Sequence, residues 1–220
     1  MFDNFFIIIG RHIISFFYFL GGLSNLAFKT ISLSFVPPYR KDRIFEQAKK
    51  AGLDSLPLVS LIGLFIGFIF ALQTAYFMQR IGSELYIASL VALSIVRELG
   101  PVITALVVAG RVGASITAEL GSMQVTEQID ALETFATNPV KYLVVPRFIA
   151  LSLMLPILTL YADAIGILGS YLICVFRLGI SSSIYLRVTS EALFHKDLFN
   201  GLFKTIFFGM IIALVGGALA

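Results

Sequence analysis

The stretch that decides the fold runs from Val96 to Pro139 and reads VRELGPVITALVVAGRVGASITAELGSMQVTEQIDALETFATNP. It begins as an apolar helix and changes, without a long loop, into a short acidic segment. A charged side chain in a membrane helix costs about 2.5–3.5 kcal/mol on insertion scales, so such side chains pair or face a protein interior. The first half nevertheless carries Arg97, Glu98, Arg111 and Glu119. We therefore predict a membrane helix with an intramembrane polar role.

Helical spacing places the polar residues of the first half on one face. Steps of four, three, four and four residues keep side chains on one side of a helix. Such steps connect Thr104, Val108, Arg111, Ser115 and Glu119. The other sides are predicted to meet lipid or neighbouring helices, and they carry Ile103, Leu106, Val107 and Ile116.

The segment 126–136 has the pattern of a short amphipathic helix. Thr126 is predicted to cap its start, and Glu127 and Asp130 to lie in its first turn, where acids suit the helix dipole. Its apolar side carries Val125, Ile129, Leu132 and Ala136, with Phe135 beside them, and Glu133 points away with the other acids. About ten residues cannot cross a bilayer, which needs about 20. Two interpretations stay open: docking against a soluble partner, or lying among lipid headgroups.

Two blocks of this region carry a resemblance to a known family. They are VALSIVRELGPVITALVVAGRVGASITAELGSM, from Val91 to Met123, and VTEQIDALETFATNPVKYLVVPR, from Val125 to Arg147. Together they closely resemble the MlaE/YrbE permeases, the membrane subunits of ABC lipid transporters that work with MCE-domain proteins. The resemblance covers roughly 52–216, and its central motif is long enough to be specific.

The resemblance implies partners and a site. A cytoplasmic coupling helix over Glu127–Phe135 would insert into a separate ATPase subunit, which binds ATP and Mg, so this chain would need no cofactor of its own. A second permease copy, an MCE-domain protein and phospholipid complete the implied system, in a bacterial inner membrane or, as the alternative, a plastid inner envelope. The implied ATPase-coupling residues are Thr126, Glu127, Ile129, Asp130, Leu132, Glu133 and Phe135.

Composition identifies an integral membrane protein, and together with the membrane-length apolar runs it predicts an all-α integral membrane protein. Of 220 residues, 58% are hydrophobic and 13% charged, and the mean hydropathy is +0.94, which a soluble domain could not cover with polar surface. The net charge of +3 comes without a dense Lys/Arg tract, so nucleic-acid binding has no support. The chain has one cysteine, Cys174, which rules out an intrachain disulfide.

The N-terminal region 1–36 is predicted to be an interfacial elbow helix, because aromatic side chains favour the membrane interface. Its aromatics include Phe2, Phe5, Phe6, Phe16, Phe17, Tyr18 and Phe19, and Pro37-Pro38 ends the element. A membrane span is the competing interpretation, since 13–28 contains no charge but is slightly short for crossing. The resembled family has an elbow helix here.

Four transmembrane helices are predicted, over 55–79, 87–122, 148–176 and 198–220. Small residues at four-residue spacing let membrane helices approach closely. One stripe in the first span (Gly63, Gly67, Ala71, Ala75) is interpreted as a packing surface, with a dimer interface as one form of it. A second stripe lies at Ala162, Gly166, Ser170 and Cys174. The bulky residues opposite the first stripe are candidates for the lipid path: Leu61, Leu64, Phe65, Phe68, Leu72 and Tyr76.

The intramembrane polar residues have competing interpretations. Glu98 could gate a lipid path, but a structural ion pair is preferred. Asp163 could relay protons or sense substrate, yet pairing with Arg97 or Arg111 is preferred. Gly100-Pro101 is predicted to kink the second span, because proline removes a donor from the helix.

Positive charges set the orientation. Seven Lys or Arg residues fall on the predicted cytoplasmic side and four on the outer side, in the sense of the positive-inside rule. The cytoplasmic set is Arg40, Lys41, Arg43, Lys49, Lys50, Lys141 and Arg147. The resembled family continues into a fifth span, so the chain is expected to lack that last helix.

Catalytic motifs are missing from the sequence. It contains no P-loop for nucleotide phosphates, no HExxH or Cys/His metal set, and no GxSxG elbow with triad partners. An enzyme is therefore disfavoured, and the resemblance implies a transport permease without its own catalytic site. A membrane scaffold or assembly subunit that moves nothing is the alternative.

Overall fold

The computed structural model describes residues 2–37 and 40–219, with side chains from residue 10 onward. The predicted roles of the Phe2, Phe5 and Phe6 side chains, of Pro38 and of Ala220 lie outside this description. Every regular element in the described part is helical, as the composition predicts. The helices are α1 (Phe2–Ser34), α2 (Lys41–Ala51), α3 (Leu56–Arg80), α4 (Glu84–Val125), α5 (Gln128–Thr134), α6 (Val140–Phe176), α7 (Ser182–Ala192) and α8 (His195–Ala218).

Five helical segments of the described chain are long and apolar enough to cross a membrane. They are Gly10–Ser34, Lys41–Arg80, Glu84–Val125, Val140–Phe176 and His195–Ala218. The last four contain the first three predicted spans and the fourth, 198–220, as far as Ala218. The first is most of α1, whose side chains are largely exposed. At 1.5 Å per residue its 25 residues have the length for a crossing, and the interfacial position of α1 stays a prediction.

The helix α4 contains two π-helical turns, at Ile95–Leu99 and Ala109–Gly113. The first of them lies directly before Gly100-Pro101. A proline has no N–H, so the carbonyl four residues earlier loses its helical partner. That carbonyl belongs to Arg97, and the Lys204 ammonium of α8 donates to it at 3.1 Å. At the position of the predicted kink, the structure therefore has a π turn. The Arg97 carbonyl that loses its helical partner accepts a hydrogen bond from Lys204 of α8 instead.

The second π turn corrects the predicted polar face of α4. The buried stripe runs from Thr104 and Val108 through Val112, Ile116 and Leu120, in uniform steps of four. A wide turn advances this stripe by one residue, so Arg111, Ser115 and Glu119 lie beside it instead of on it. Of the two predicted surroundings of Ile116, lipid or a neighbouring helix, the structure shows the second, since Ile116 is 3% exposed and lies against Gly216 of α8.

The centre of the fold is the packing of α3 against α6. A Cβ atom on Gly67 would overlap the carbonyl oxygen of Gly166, and one on Gly169 would lie 2.6 Å from the carbonyl oxygen of Leu64. The two small-residue stripes thus pack on each other within one chain. The dimer-interface form of the prediction was wrong, because Gly67 and Ala71 are buried against α6 and its surroundings.

The helix α7 covers one end of the bundle. Tyr185 is completely buried and its hydroxyl lies 2.5 Å from Ser170 Oγ. Its ring packs edge-on against Tyr171, with ring centroids 5.3 Å apart. Burial raises the pKa of Tyr185, so the phenol stays neutral as α7 ties the loop to α6.

Candidate functional site

The helix α5 is a seven-residue segment set between two membrane-length helices. Both ends turn sharply, since Glu127 and Ala136 have φ of 56° and 53°, in the left-handed region that costs non-glycine residues energy. Thr126 does not cap α5, and that prediction was wrong. Its hydroxyl donates to the Ser122 carbonyl at 2.8 Å, so it closes α4, and Glu127 occupies the N-cap position without a side-chain cap.

The sides of α5 differ in burial. Ile129 and Leu132 are half-buried and pack against the apolar core formed by α4 and α6, whereas Asp130 and Glu133 are exposed. Val125, Ala136 and Phe135 do not join the packed side. Val125 is 85% exposed and Phe135 80%. The predicted apolar side therefore divides into two parts. Ile129 and Leu132 attach α5 to the core, whereas Val125 and Phe135 are exposed apolar residues just beyond its two ends.

The basic residues lie at the same end of the bundle as α5. The guanidinium groups of Arg40 and Arg43 lie over the Tyr142 ring, 4.5 and 4.7 Å from its centroid. Lys141 donates to the Pro37 carbonyl at 3.3 Å. Tyr142 follows α5 by only eight residues, so α5 and this cluster lie on the same side of the membrane, which the positive-inside rule predicts to be the cytoplasmic side.

Two ion pairs join α4 to α8 near the opposite end. Arg97 Nη2 lies 2.6 Å from Asp197 Oδ1, and Lys204 Nζ lies 2.6 Å from Glu98 Oε1. Asp197 is 5% exposed, so removal of Arg97 would leave a buried carboxylate. Glu98 takes part in an ion pair, in agreement with the preferred interpretation. The partners Asp197 and Lys204 were missed, since nothing local in the sequence connects residues about one hundred positions apart.

Asp163 does not pair with Arg97 or Arg111, and that prediction was wrong. Arg97 bonds Asp197, while Arg111 donates to Ser55 Oγ at 2.8 Å near the other end of the bundle. Asp163 is 4% exposed, and its Oδ1 has no hydrogen-bond partner in the described part. It packs directly on Gly100, where any Cβ would overlap that oxygen.

The remaining intramembrane acid belongs to the end that carries α5. Glu119 Oε2 lies 3.0 Å from Arg147 Nη2. Arg147 is 3% exposed and also donates to the Leu143 carbonyl at 3.3 Å. Arg147, which sequence reasoning counted among the cytoplasmic charges that set orientation, is therefore a buried structural cation.

The lipid-path candidates of α3 form an outward-facing apolar surface. Leu61, Phe65, Leu72 and Tyr76 are exposed, between 37% and 56%, and Leu64 and Phe68 are half-buried. Together they cover the side of α3 away from α6. Within one chain this surface is open, so an enclosed path along it would need a second surface opposite.

Replacement of Lys204 by methionine is expected to lower the free energy of unfolding by about 1–2 kcal/mol. The change leaves Glu98 without its ion-pair partner and the Arg97 carbonyl without a donor. Thermal unfolding in detergent measures the loss. Lys196→Met on the same helix, where the structure shows no such contacts, is the matched control. Equal stability of the two variants would contradict the role of Lys204.

These features define an all-helical, multi-pass membrane protein with a short exposed helix between two long ones. A family model described as Permease MlaE matches residues 44–218. The chain therefore belongs to the MlaE permease family, in agreement with the resemblance found in its sequence.

Three relatives are named as permease proteins, and two of these as probable ABC transporter permeases. A probable ABC transporter permease protein of Rickettsia prowazekii is 43% identical over 208 residues, which cover 94% of this chain and 80% of the relative. The intermembrane phospholipid transport system permease protein MlaE of Haemophilus influenzae is 36% identical over 218 residues, covering 98% and 83%. A probable ABC transporter permease protein of Porphyra purpurea is 38% identical over 170 residues, covering 77% and 65%.

Proposed function

We propose that this chain is the permease subunit of an ABC transporter that moves phospholipid between membranes, driven by a separate ATPase that grips α5. Membership of the family and the phospholipid transport named for the Haemophilus influenzae relative support the substrate. The observation that carries the coupling is the exposure of α5, with Val125 and Phe135 just beyond its ends and its acids outward. The ATPase binds ATP and Mg, and this chain binds neither.

The attachment of α5 explains how a partner's motion would reach the membrane. Ile129 and Leu132 are anchored in the core shared by α4 and α6, and only short turns separate α5 from either helix. A displacement of α5 therefore shifts both helices together. Because α6 packs along α3, that shift reaches the apolar surface of α3.

The open surface of α3 supports a two-copy arrangement. Its exposed bulky residues offer acyl chains an apolar wall, and a second copy would supply the opposite wall. An MCE-domain protein would take up lipid at the end that carries α7. The proposed location is a bacterial inner membrane, and the relative from Porphyra purpurea keeps the plastid inner envelope as the alternative.

Charge reversal on α5 tests the coupling. The triple variant Glu127→Lys, Asp130→Lys and Glu133→Lys is expected to reduce co-purification of the ATPase at least about tenfold, since like charges at an interface cost several kcal/mol. ATPase stimulation and lipid transfer by reconstituted complexes should fall with it. Unchanged binding and stimulation would contradict the assignment of α5.

A matched control separates charge from position. Glu84→Lys combined with Glu191→Lys reverses two exposed acids at the other end of the bundle and should leave ATPase binding intact. The lipid-transfer measurement then addresses transport itself. Complexes of the unaltered chain that bind and stimulate the ATPase but transfer no lipid would favour the scaffold function instead.

A further inference from the structure

Two arginine side chains lie on one tyrosine at the end of the bundle that carries α5, and a lysine precedes that tyrosine in the sequence. Arg40 and Arg43 lie over the Tyr142 ring, and Arg43 also donates to the Tyr142 hydroxyl at 2.8 Å. Lys141 is the adjacent residue. None of the three cations forms an ion pair within the described residues. By contrast, Lys50, which lies on α2 with Arg43, pairs with Glu46. This cluster, Arg40, Arg43, Lys141 and Tyr142, therefore holds three cations without an ion-paired acid among the described residues.

The cluster forms one edge of a cavity with apolar walls. The cavity has a volume of about 280 Å³ and lies between the end of α1, the start of α2 and the start of α6. Arg40 and Lys141 supply its cations, and no acid lines it in the part of the chain that the structure describes. Its apolar walls include Leu33, Val36, Ile44 and Val145.

We propose that this cavity binds the headgroup of one anionic phospholipid, with its phosphate on Arg40 and Lys141. Basic pockets between membrane helices on the cytoplasmic side suit anionic headgroups. Leu33 also lines an adjoining groove together with the exposed Phe28 of α1, so an acyl chain could lie along α1 while the headgroup stays at the cations. A soluble phosphate ester shares the headgroup chemistry but would leave these walls empty.

The lipid would hold three elements together. Arg40 precedes α2, Lys141 lies in the first turn of α6, and Leu33 and Val36 lie on either side of the end of α1 at Ser34. The site lies beside the turn that follows α5, since Ala136 of this turn lines the cavity. This bound lipid is separate from the transported one, whose proposed path follows α3.

The chain contains no tryptophan, which gives a clean fluorescence test. Val36→Trp places a single reporter at the cavity, and Ile211→Trp places one on the exposed side of α8. The full chain is reconstituted in nanodiscs with acyl-brominated phosphatidylglycerol or phosphatidylcholine. We expect phosphatidylglycerol to quench the Val36→Trp reporter roughly tenfold more effectively than phosphatidylcholine does. This is the order of magnitude by which two nearby basic residues strengthen binding of an anionic headgroup. The Ile211→Trp reporter should show none.

Charge variants with equal net charge distinguish a site from a general surface potential. In the Val36→Trp background, Arg40→Gln with Lys141→Gln should remove the preference for phosphatidylglycerol, while Lys41→Gln with Lys49→Gln should retain it. Equal quenching of the cavity reporter by both lipids, or equal effects of the two double variants, would overturn the proposal.

Two further arms exclude other occupants. Millimolar sn-glycerol 3-phosphate should leave the quenching unchanged, and its loss would show a soluble phosphate site instead. If the cavity reporter shows no preference and Arg40→Gln with Lys141→Gln releases the ATPase, the cluster is a protein contact and the proposal fails. The quenching test needs neither ATPase nor transport, so its result is independent of the proposed function.

Discussion

Replacement of Gly67 by leucine is expected to prevent α3 from packing on α6 and to cost at least about 3 kcal/mol of unfolding free energy. Even a Cβ atom at Gly67 would overlap the Gly166 carbonyl oxygen and lie 2.9 Å from the Ser170 amide nitrogen. Both are backbone atoms of a helix, so they cannot relieve the overlap by a change of rotamer, as a side chain could. The two helices would have to separate, and the contacts along both stripes would be lost.

The measurement is the yield of monodisperse protein and its thermal midpoint in detergent. Gly110→Leu is the matched control, because nothing lies within 4 Å of a Cβ added there, and it should behave like the unaltered chain. Gly63→Ala should be intermediate, since its Cβ would lie 3.3 Å from the Ala162 carbonyl oxygen. Equal stability for Gly67→Leu and Gly110→Leu would contradict this packing.

Small-residue spacing predicted the central packing because the signal is local. Gly63 and Gly67 lie four apart, as do Ala162 and Gly166, and this spacing alone identifies a close-approach surface. It cannot identify which surface lies opposite. The partner proved to be the other stripe of the same chain, which is why the dimer-interface interpretation was wrong.

The register of α4 could not be predicted from helical periodicity. The prediction assumed one period from Thr104 to Glu119, whereas the π turn at Ala109–Gly113 advances the buried stripe by one residue. Glycine at Gly110 and Gly113 is compatible with such a turn but does not require it. The π turn at Ile95–Leu99 had a clearer signal, because Pro101 interrupts the hydrogen-bond ladder.

Charged partners across the bundle were also beyond sequence reasoning. The sequence indicated that Glu98 would form an ion pair but did not identify Lys204 as its partner. For Asp163 it predicted pairing with Arg97 or Arg111, and neither pair forms. Pairing depends on which helices are neighbours and at what depth, and this is a property of the packed bundle. Similarly, α5 was located by its amphipathic pattern, but the exposure of Val125 and Phe135 depends on the left-handed turns at its ends.

Replacement of Glu119 by alanine is expected to destabilise the bundle by about 3 kcal/mol, near the lower end of what breaking a buried pair costs. The Arg147 side chain is 4% exposed and Glu119 41%, so the cation loses its acid partner while it stays out of water. Its Nε already lacks a hydrogen-bond partner among the described residues. Thermal unfolding in detergent and the expression yield measure this loss.

The double variant Glu119→Ala with Arg147→Met distinguishes an uncompensated charge from lost packing. Methionine keeps much of the arginine's apolar volume but has no charge to bury, so the double variant should recover most of the stability that Glu119→Ala loses. Glu84→Ala, at an exposed acid, should change little. A double variant no more stable than Glu119→Ala would mean that the carboxylate acts by packing, because removing the cation would then bring no relief.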